Sequence, residues 1–250
     1  MSALHVVASA LGTDVTHSAI AYRTSVDADE IDSDDALGSS HVVPETAAHL
    51  RYLRFVGAVP SHGSTVLCDL GATGMTVSVV DLTTAAADPT GSVVHSCRTT
   101  SFGGDDFDRL VRRYLASRSV RVETDTARSI KERLVDGGVV TARDVDGGGT
   151  HVFTRRDFED ITAGPVRYAA MIVAQTIELS ECNPASIVLL GGGANIASIA
   201  GAFEAKLGRR TLVPHRPESV AARGAALLSC GQRLTNVGRR FSTNAAMPSF

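Results

Sequence analysis

Apolar residues crowd the stretch VLCDLGATGMTVSVVDL, Val66 to Leu82, on either side of a run of small residues. That pattern predicts a buried strand, a tight turn at Gly71–Gly74 and a second strand. Strands are expected at Thr65–Leu70, Met75–Leu82 and Ser92–Thr99. The period then changes. In GDDFDRLVRRYLAS, from Gly104, the residues Phe107, Leu110, Val111, Tyr114 and Leu115 fall at helical spacing, and Asp105 and Asp106 stand at the positive N-terminal end. A charged helix is expected at Asp125–Val135, then a hairpin around Gly147–Gly149. Thr154 can cap a long helix, FTRRDFEDITAGPVRYAAMIVAQTIEL, which Pro165 is expected to kink or split. A strand at Ser186–Leu190, the run Gly191–Gly193, a helix from about Asn195, a short strand at Thr211–Val213 and an Ala-rich helix over Pro217–Cys230 complete this part. Before residue 60 the pattern is sparser. His17–Tyr22 reads as a strand, Asp27–Asp35 as a helix or a solvated loop, His41–Val43 as a strand and Pro44–Phe55 as a helix. Pro44 suits a first helical turn, where its missing N–H costs nothing.

From Ser64 the order is strand–strand–strand–helix, an insert, then helix–strand–helix–strand–helix. Antiparallel strands joined to parallel crossovers give a mixed sheet with helices on its faces, an α/β fold. The expected organisation is a partial first lobe over residues 1–60, a second lobe over 61–231 with an insert at about 118–155, and a mobile tail over 232–250.

Composition narrows the function without choosing it. The chain has 250 residues, 44% of them hydrophobic, enough for a substantial core. A formal net charge of -3 offers no basic field for nucleic acid. No apolar run is long enough to span a bilayer and no signal segment is evident, so a cytoplasmic location is expected. Cys68, Cys97, Cys182 and Cys230 lack zinc spacing and read as free thiols. Lys131 and Lys206 are the only lysines, so nearly all positive charge is arginine.

The candidate chemistry begins at the first turn. Gly71, Ala72, Thr73 and Gly74 let backbone N–H groups approach an anion, and Asp69 beside them suits a metal or a water. The same residues also suit a plain hairpin, with Asp69 a solvated turn residue. Gly191, Gly192 and Gly193 can equally make a tight strand–helix turn, and Lys131 a solvated helix face.

Six segments in one order carry a resemblance. DLGATGMTVSVVDL resembles the second phosphate hairpin of the seventy-kilodalton heat-shock chaperones (the DnaK family). GGDDFDRLV, from Gly103 and Gly104, resembles the glycine pair and helix after it. RSIKERL, with Arg128 and Lys131, resembles the helix that contacts the adenosine. FTRRDFED resembles the start of the next long helix. IVLLGGGANI, with Gly191 to Gly193 and Asn195, resembles the turn against which adenine packs, and PESVAARGAAL, with Glu218, resembles the final helix. The match runs over most of Val15 to Leu228. It implies the ribonuclease-H-like fold of actin-like ATPases, with one complete half-domain and part of another. It also implies ATP or ADP as ligand, magnesium held through water, Asp69 as the catalytic carboxylate, and phosphates on the first glycine turn. Base and ribose would lie against the second turn, Lys131 or Arg128, Asn195 and Glu218.

The departures from that family bear on activity. Its first phosphate loop and catalytic lysine have no counterpart, since SALGTD is a faint echo and no lysine precedes Lys131. Thr76 stands in place of a second acidic residue, Gly74 of Thr, Glu132 of a base-stacking cation, Val135 of a hydroxyl and Asn195 of Arg. Glu45 is either a shifted site carboxylate or a solvated helix-end one. Little or no ATP hydrolysis is therefore expected. The alternative is a non-catalytic scaffold working through protein contacts, with a partner or a second copy at the incomplete first lobe. A ribonuclease-H-type nuclease would need clustered carboxylates that Asp69 lacks nearby.

Overall fold

The computed structural model describes residues 18–23, 40–83 and 92–230, which divide between two units. The first holds the described residues up to Val59 together with those from Ser219 onward, and the second holds the residues from Pro60 to Glu218. His17, Asp27–Asp35 and the tail after residue 230 lie outside the described residues.

In the first unit, β1 (Ala19–Tyr22) and β2 (His41–Pro44) pair in parallel, Ala19 opposite His41 and Tyr22 opposite Pro44. Helix α1 (Glu45–Phe55) follows at once, with Pro44 as the residue that leads into it. Its buried side includes Ala47, Ala48, His49, Leu50 and Leu53. Glu45 at its start accepts from Arg23 Nε at 2.8 Å. The helical residues 220–230 belong to this unit. They lie close against α1 because both contact surfaces are small. Ala48, Val43 and Ala225 share one cluster, and a Cβ on Gly224 would overlap the Ala48 carbonyl oxygen and stand 2.9 Å from Ala48 Cα. Arg223 fastens the pair, stacking on the Tyr52 ring and donating to its hydroxyl at 2.7 Å.

The second unit is built on β3 (Ser64–Leu70), β4 (Met75–Asp81), β5 (Ser92–Thr99), α2 (Gly104–Ser117), α3 (Thr124–Gly137), the hairpin β6 (Val139–Arg143) and β7 (Thr150–Thr154), α4 (Arg155–Leu179), β8 (Ile187–Leu190), α5 (Ala197–Leu207) and β9 (Thr211–Leu212). Its five-stranded sheet has the order β5-β4-β3-β8-β9. The β3–β4 and β4–β5 pairs are antiparallel, while β3–β8 and β8–β9 are parallel, so the sheet is mixed and flanked by helices. Alternation sends Val66, Cys68 and Leu70 of β3, with Met75, Val77 and Val79 of β4, into the core beside Phe102, Phe107, Phe158 and Phe203. Phe107 meets Phe102 edge-on at 5.1 Å and Phe158 at 5.8 Å.

Thr154 caps α4 reciprocally with Asp157, whose carboxylate also accepts from Tyr114 Oη at 2.7 Å. Of the kink or split expected at Pro165, the split does not occur: the helix is continuous from Arg155 to Leu179. Buried residues on both sides of the proline, Phe158 and Thr162 before it and Val166 and Ala169 after it, supply packing that outweighs one lost hydrogen bond. The glycine run after β8 makes a tight strand–helix turn, one of the two readings open from sequence. Gly192–Asn195 is a 3-10 turn, and the α-helix begins only at Ala197.

Candidate functional site

The turn between β3 and β4 is held from within and from α2. Gly71 N donates to the Gly74 carbonyl at 2.9 Å. Gly104 N and Asp105 N, the first amides of α2, donate to the carbonyls of Gly71 and Ala72 at 3.0 and 2.9 Å. Contact this close requires glycine at 103, where a Cβ would stand 2.5 Å from the Ala72 carbonyl oxygen and from Gly74 N. The carbonyls of Gly71, Ala72 and Gly74 are thus occupied. Its N–H groups at Ala72 and Thr73 make no hydrogen bond among the described residues.

The second turn follows β8, the parallel neighbour of β3. Gly191 has φ 77°, and a Cβ there would strike Asp69 Oδ1 and approach the Leu70 carbonyl oxygen to 2.6 Å. Only glycine serves both demands. The Gly193 position is nearly as tight, 2.8 Å from Leu70 Cβ. Both turns therefore leave the carboxyl ends of adjacent parallel strands, the location at which open α/β sheets gather ligands.

A cavity of about 670 Å³ opens there. That lies within the roughly 300–1,000 Å³ of small-molecule pockets. Of the residues singled out from sequence, Gly71, Ala72, Gly104, Arg128, Lys131, Gly192, Gly193, Asn195 and Glu218 line it. The others, Asp69, Thr73, Gly74, Gly103 and Gly191, stand in or behind the two turns and do not line it. Asp105, Phe107 and Ile196 are wall residues that the sequence reading had not assigned, and Glu132 and Val135 line it too.

The wall's cations are already engaged. Lys131 Nζ is 2.6 Å from Asp108 Oδ1 and donates to the Gly104 carbonyl at 2.9 Å. Arg128 reaches Asp105 at 3.3 Å and Asp108 at 3.4 Å. Asp108 is 1% exposed and is one of the residues that the sequence alone did not single out. Its signal was the third acidic position of GDDFD, one helical turn into α2, facing two cations spaced three apart on α3. Asn195 Nδ2 donates to Glu218 Oε2 at 3.2 Å, joining the second turn to the segment that follows β9.

Behind the hairpin, cross-strand register sets Asp69 opposite Thr76 and Thr76 opposite Arg98. The three lie in one row on one face of the sheet. Arg98 donates through one terminal nitrogen to Thr76 Oγ1 at 3.0 Å and through the other to Thr73 Oγ1 at 3.3 Å. Asp69 is 8% exposed at the end of β3. This row supplies one carboxylate and one guanidinium. Cys68 lies on the opposite, core face. Burial, and then the Asp69 charge, push its thiol far up, so it is an inert core thiol.

No protein-family model matches the sequence. No helix among the described residues is long and apolar enough to cross a membrane.

Proposed function

We propose that the chain is an adenine-nucleotide-binding domain of the type found in the seventy-kilodalton heat-shock chaperones, on an actin-like ATPase half-fold, with very slow or no ATP hydrolysis. The observation that carries this reading is the cavity at the carboxyl ends of β3 and β8. It is walled by two glycine turns and by the α3 cations Arg128 and Lys131. Phe107, Val135 and Ile196 supply apolar surface for a base, while the turn amides of Ala72 and Thr73 suit an anion. Any magnesium would arrive with the nucleotide, because this ion binds through one or two carboxylates plus substrate phosphates. Phosphoryl transfer depends on positioning and charge compensation. Loss of one stabilising donor commonly costs roughly a hundredfold. Thr76, standing where the chaperone family carries a second acidic residue, is one such loss beside the candidate phosphate turn.

Calorimetry with ATP and ADP tests the reading. A Kd below about 100 µM, roughly -5.5 kcal/mol, supports it. An ATP turnover at a chaperone-like rate that Asp69→Ala abolishes would overturn the non-hydrolytic half of it.

A second reading, a non-catalytic scaffold, draws on β1 and β2. They form a two-stranded parallel sheet with no third strand among the described residues. Parallel sheets are ordinarily larger and covered, and open edges recruit other chains. No heat and no thermal shift with nucleotide, together with concentration-dependent association in sedimentation, would favour this reading.

A further inference from the structure

The cavity wall is poorly charged for phosphate. It carries the carboxylates Asp105, Glu132 and Glu218 against the cations Arg128 and Lys131. Both cations are tied to carboxylates, Arg128 to Asp105 and Asp108 and Lys131 to Asp108. A polyphosphate lying deep among these groups would meet a net negative wall, whereas a neutral base and ribose would not. The anionic end of a ligand is better accommodated outside, across the β3–β4 turn.

A cation waits at that turn. The guanidinium of Arg98 is anchored by two neutral hydroxyls, those of Thr73 and Thr76, and no carboxylate pairs with it among the described residues. Its charge is therefore uncompensated by its anchors. Thr73 is the chain neighbour of Ala72, which lines the cavity, and the amides of Ala72 and Thr73 are unengaged. Two unengaged N–H groups and a planar, permanently charged fork thus belong to one turn, a combination suited to an oxyanion such as phosphate. The hydroxyl anchors hold the fork without neutralising it, so little side-chain entropy remains to be lost on binding.

We propose that Arg98 is the phosphate-recognising cation of this site. With the N–H groups of Ala72 and Thr73 it receives the polyphosphate end of a nucleotide whose base and ribose occupy the cavity. The inference rests on the nucleotide reading and adds a specificity residue to it: selectivity for di- and triphosphates over the nucleoside resides in Arg98 and not in Lys131 or Arg128.

The test is calorimetric titration of adenosine, AMP, ADP and ATP into the full chain and into Arg98→Ala and Arg98→Lys. Arg98 is exposed, and a thermal melt matching wild type checks that each variant is folded. The expected result is that wild type binds ADP and ATP at least tenfold tighter than adenosine, with a steep loss at high salt. Arg98→Ala should erase that advantage and flatten the salt dependence while adenosine affinity stays the same. Arg98→Lys should keep part of the advantage, since it retains the charge and loses the fork. Three outcomes overturn the proposal. If Arg98→Ala binds ATP as tightly as wild type, Arg98 is not the recognising group although nucleotide binding stands. If wild type binds adenosine and ATP equally, phosphate is not read here at all. If it binds neither, the nucleotide reading falls and this inference falls with it.

Discussion

Asp108 is almost wholly buried, and both α3 cations of the cavity wall converge on it. Removing one partner of a buried pair leaves the other charge uncompensated, at a cost of about 3–5 kcal/mol. Lys131 is 12% exposed and so recovers part of its hydration. Asp108→Ala should therefore lower the unfolding free energy by roughly 3 kcal/mol in urea titrations. A loss under about 1 kcal/mol would mean that Lys131 finds solvent easily and that the pair is not structural. His49 gives a different kind of residue-scale effect. It is 5% exposed, and burial lowers its pKa to about 4, with Glu45 opposing that shift and Arg23 adding to it. The unfolded imidazole titrates near 6.5, so the unfolded chain takes up the proton first. The neutral histidine's contribution is complete above about pH 6.5 and drains away as pH falls toward 4, by about 3 kcal/mol in all. Urea midpoints between pH 7 and pH 4 should fall more steeply for wild type than for His49→Gln. Equal slopes would show that His49 is hydrated in the fold.

At the scale of elements, α4 sets local preference against packing. A proline inside a helix forfeits one backbone hydrogen bond and crowds the carbonyl four residues earlier, a penalty of about 3 kcal/mol. The helix runs through it regardless, because the apolar side of α4 is buried on both sides of Pro165. Pro165→Ala restores the donor at a half-buried position and gives back some unfolded-chain freedom, so a net gain of about 2 kcal/mol is expected. Thermal unfolding of the variant reads it directly, and an unchanged or lowered Tm would show that the proline fills a packing role of its own. The same helix shows what the sequence could and could not convey. Strand β8 was legible as a continuous apolar run, β3 and β4 as apolar-rich stretches on either side of a glycine turn, and the start of α4 because Thr154 and Asp157 are a local signal. The continuity of α4 was not legible, because it depends on the sheet beneath. Asp108 and Arg98 were missed for a related reason. One acquires its meaning only when α2 lies against α3, the other only when register sets Arg98 opposite Thr76. The glycine turns could be read as turns, yet the demand for glycine at 191 comes from Asp69 and Leu70, over a hundred residues earlier.

On the scale of the whole molecule, the cavity ties stability to ligand. Its walls come from the β3–β4 turn, α2, α3, the turn after β8 and Glu218, segments brought together only by the folded second unit. The β3–β8 pairing is central to this. Its register from Val66↔Ile187 to Asp69↔Leu190 sets the two glycine turns side by side, and the buried hydroxyls of Thr65 and Ser186 meet at 3.2 Å near its other end. Unfolding of that sheet dismantles the cavity, so a ligand held there stabilises the fold by mass action. ATP at a hundred times its Kd should contribute about 2.7 kcal/mol. For a domain of this size that corresponds to a Tm rise of about 5–10 °C. Hydrogen exchange should slow at the β3–β4 turn and along α3, where the amides and side chains facing the ligand reside. Sodium sulfate at the same ionic strength provides the control. An equal Tm rise with sulfate would mean general salt stabilisation, whereas a rise specific to ATP, with protection centred on Ala72, Thr73 and Lys131, is the signature of an occupied nucleotide cavity.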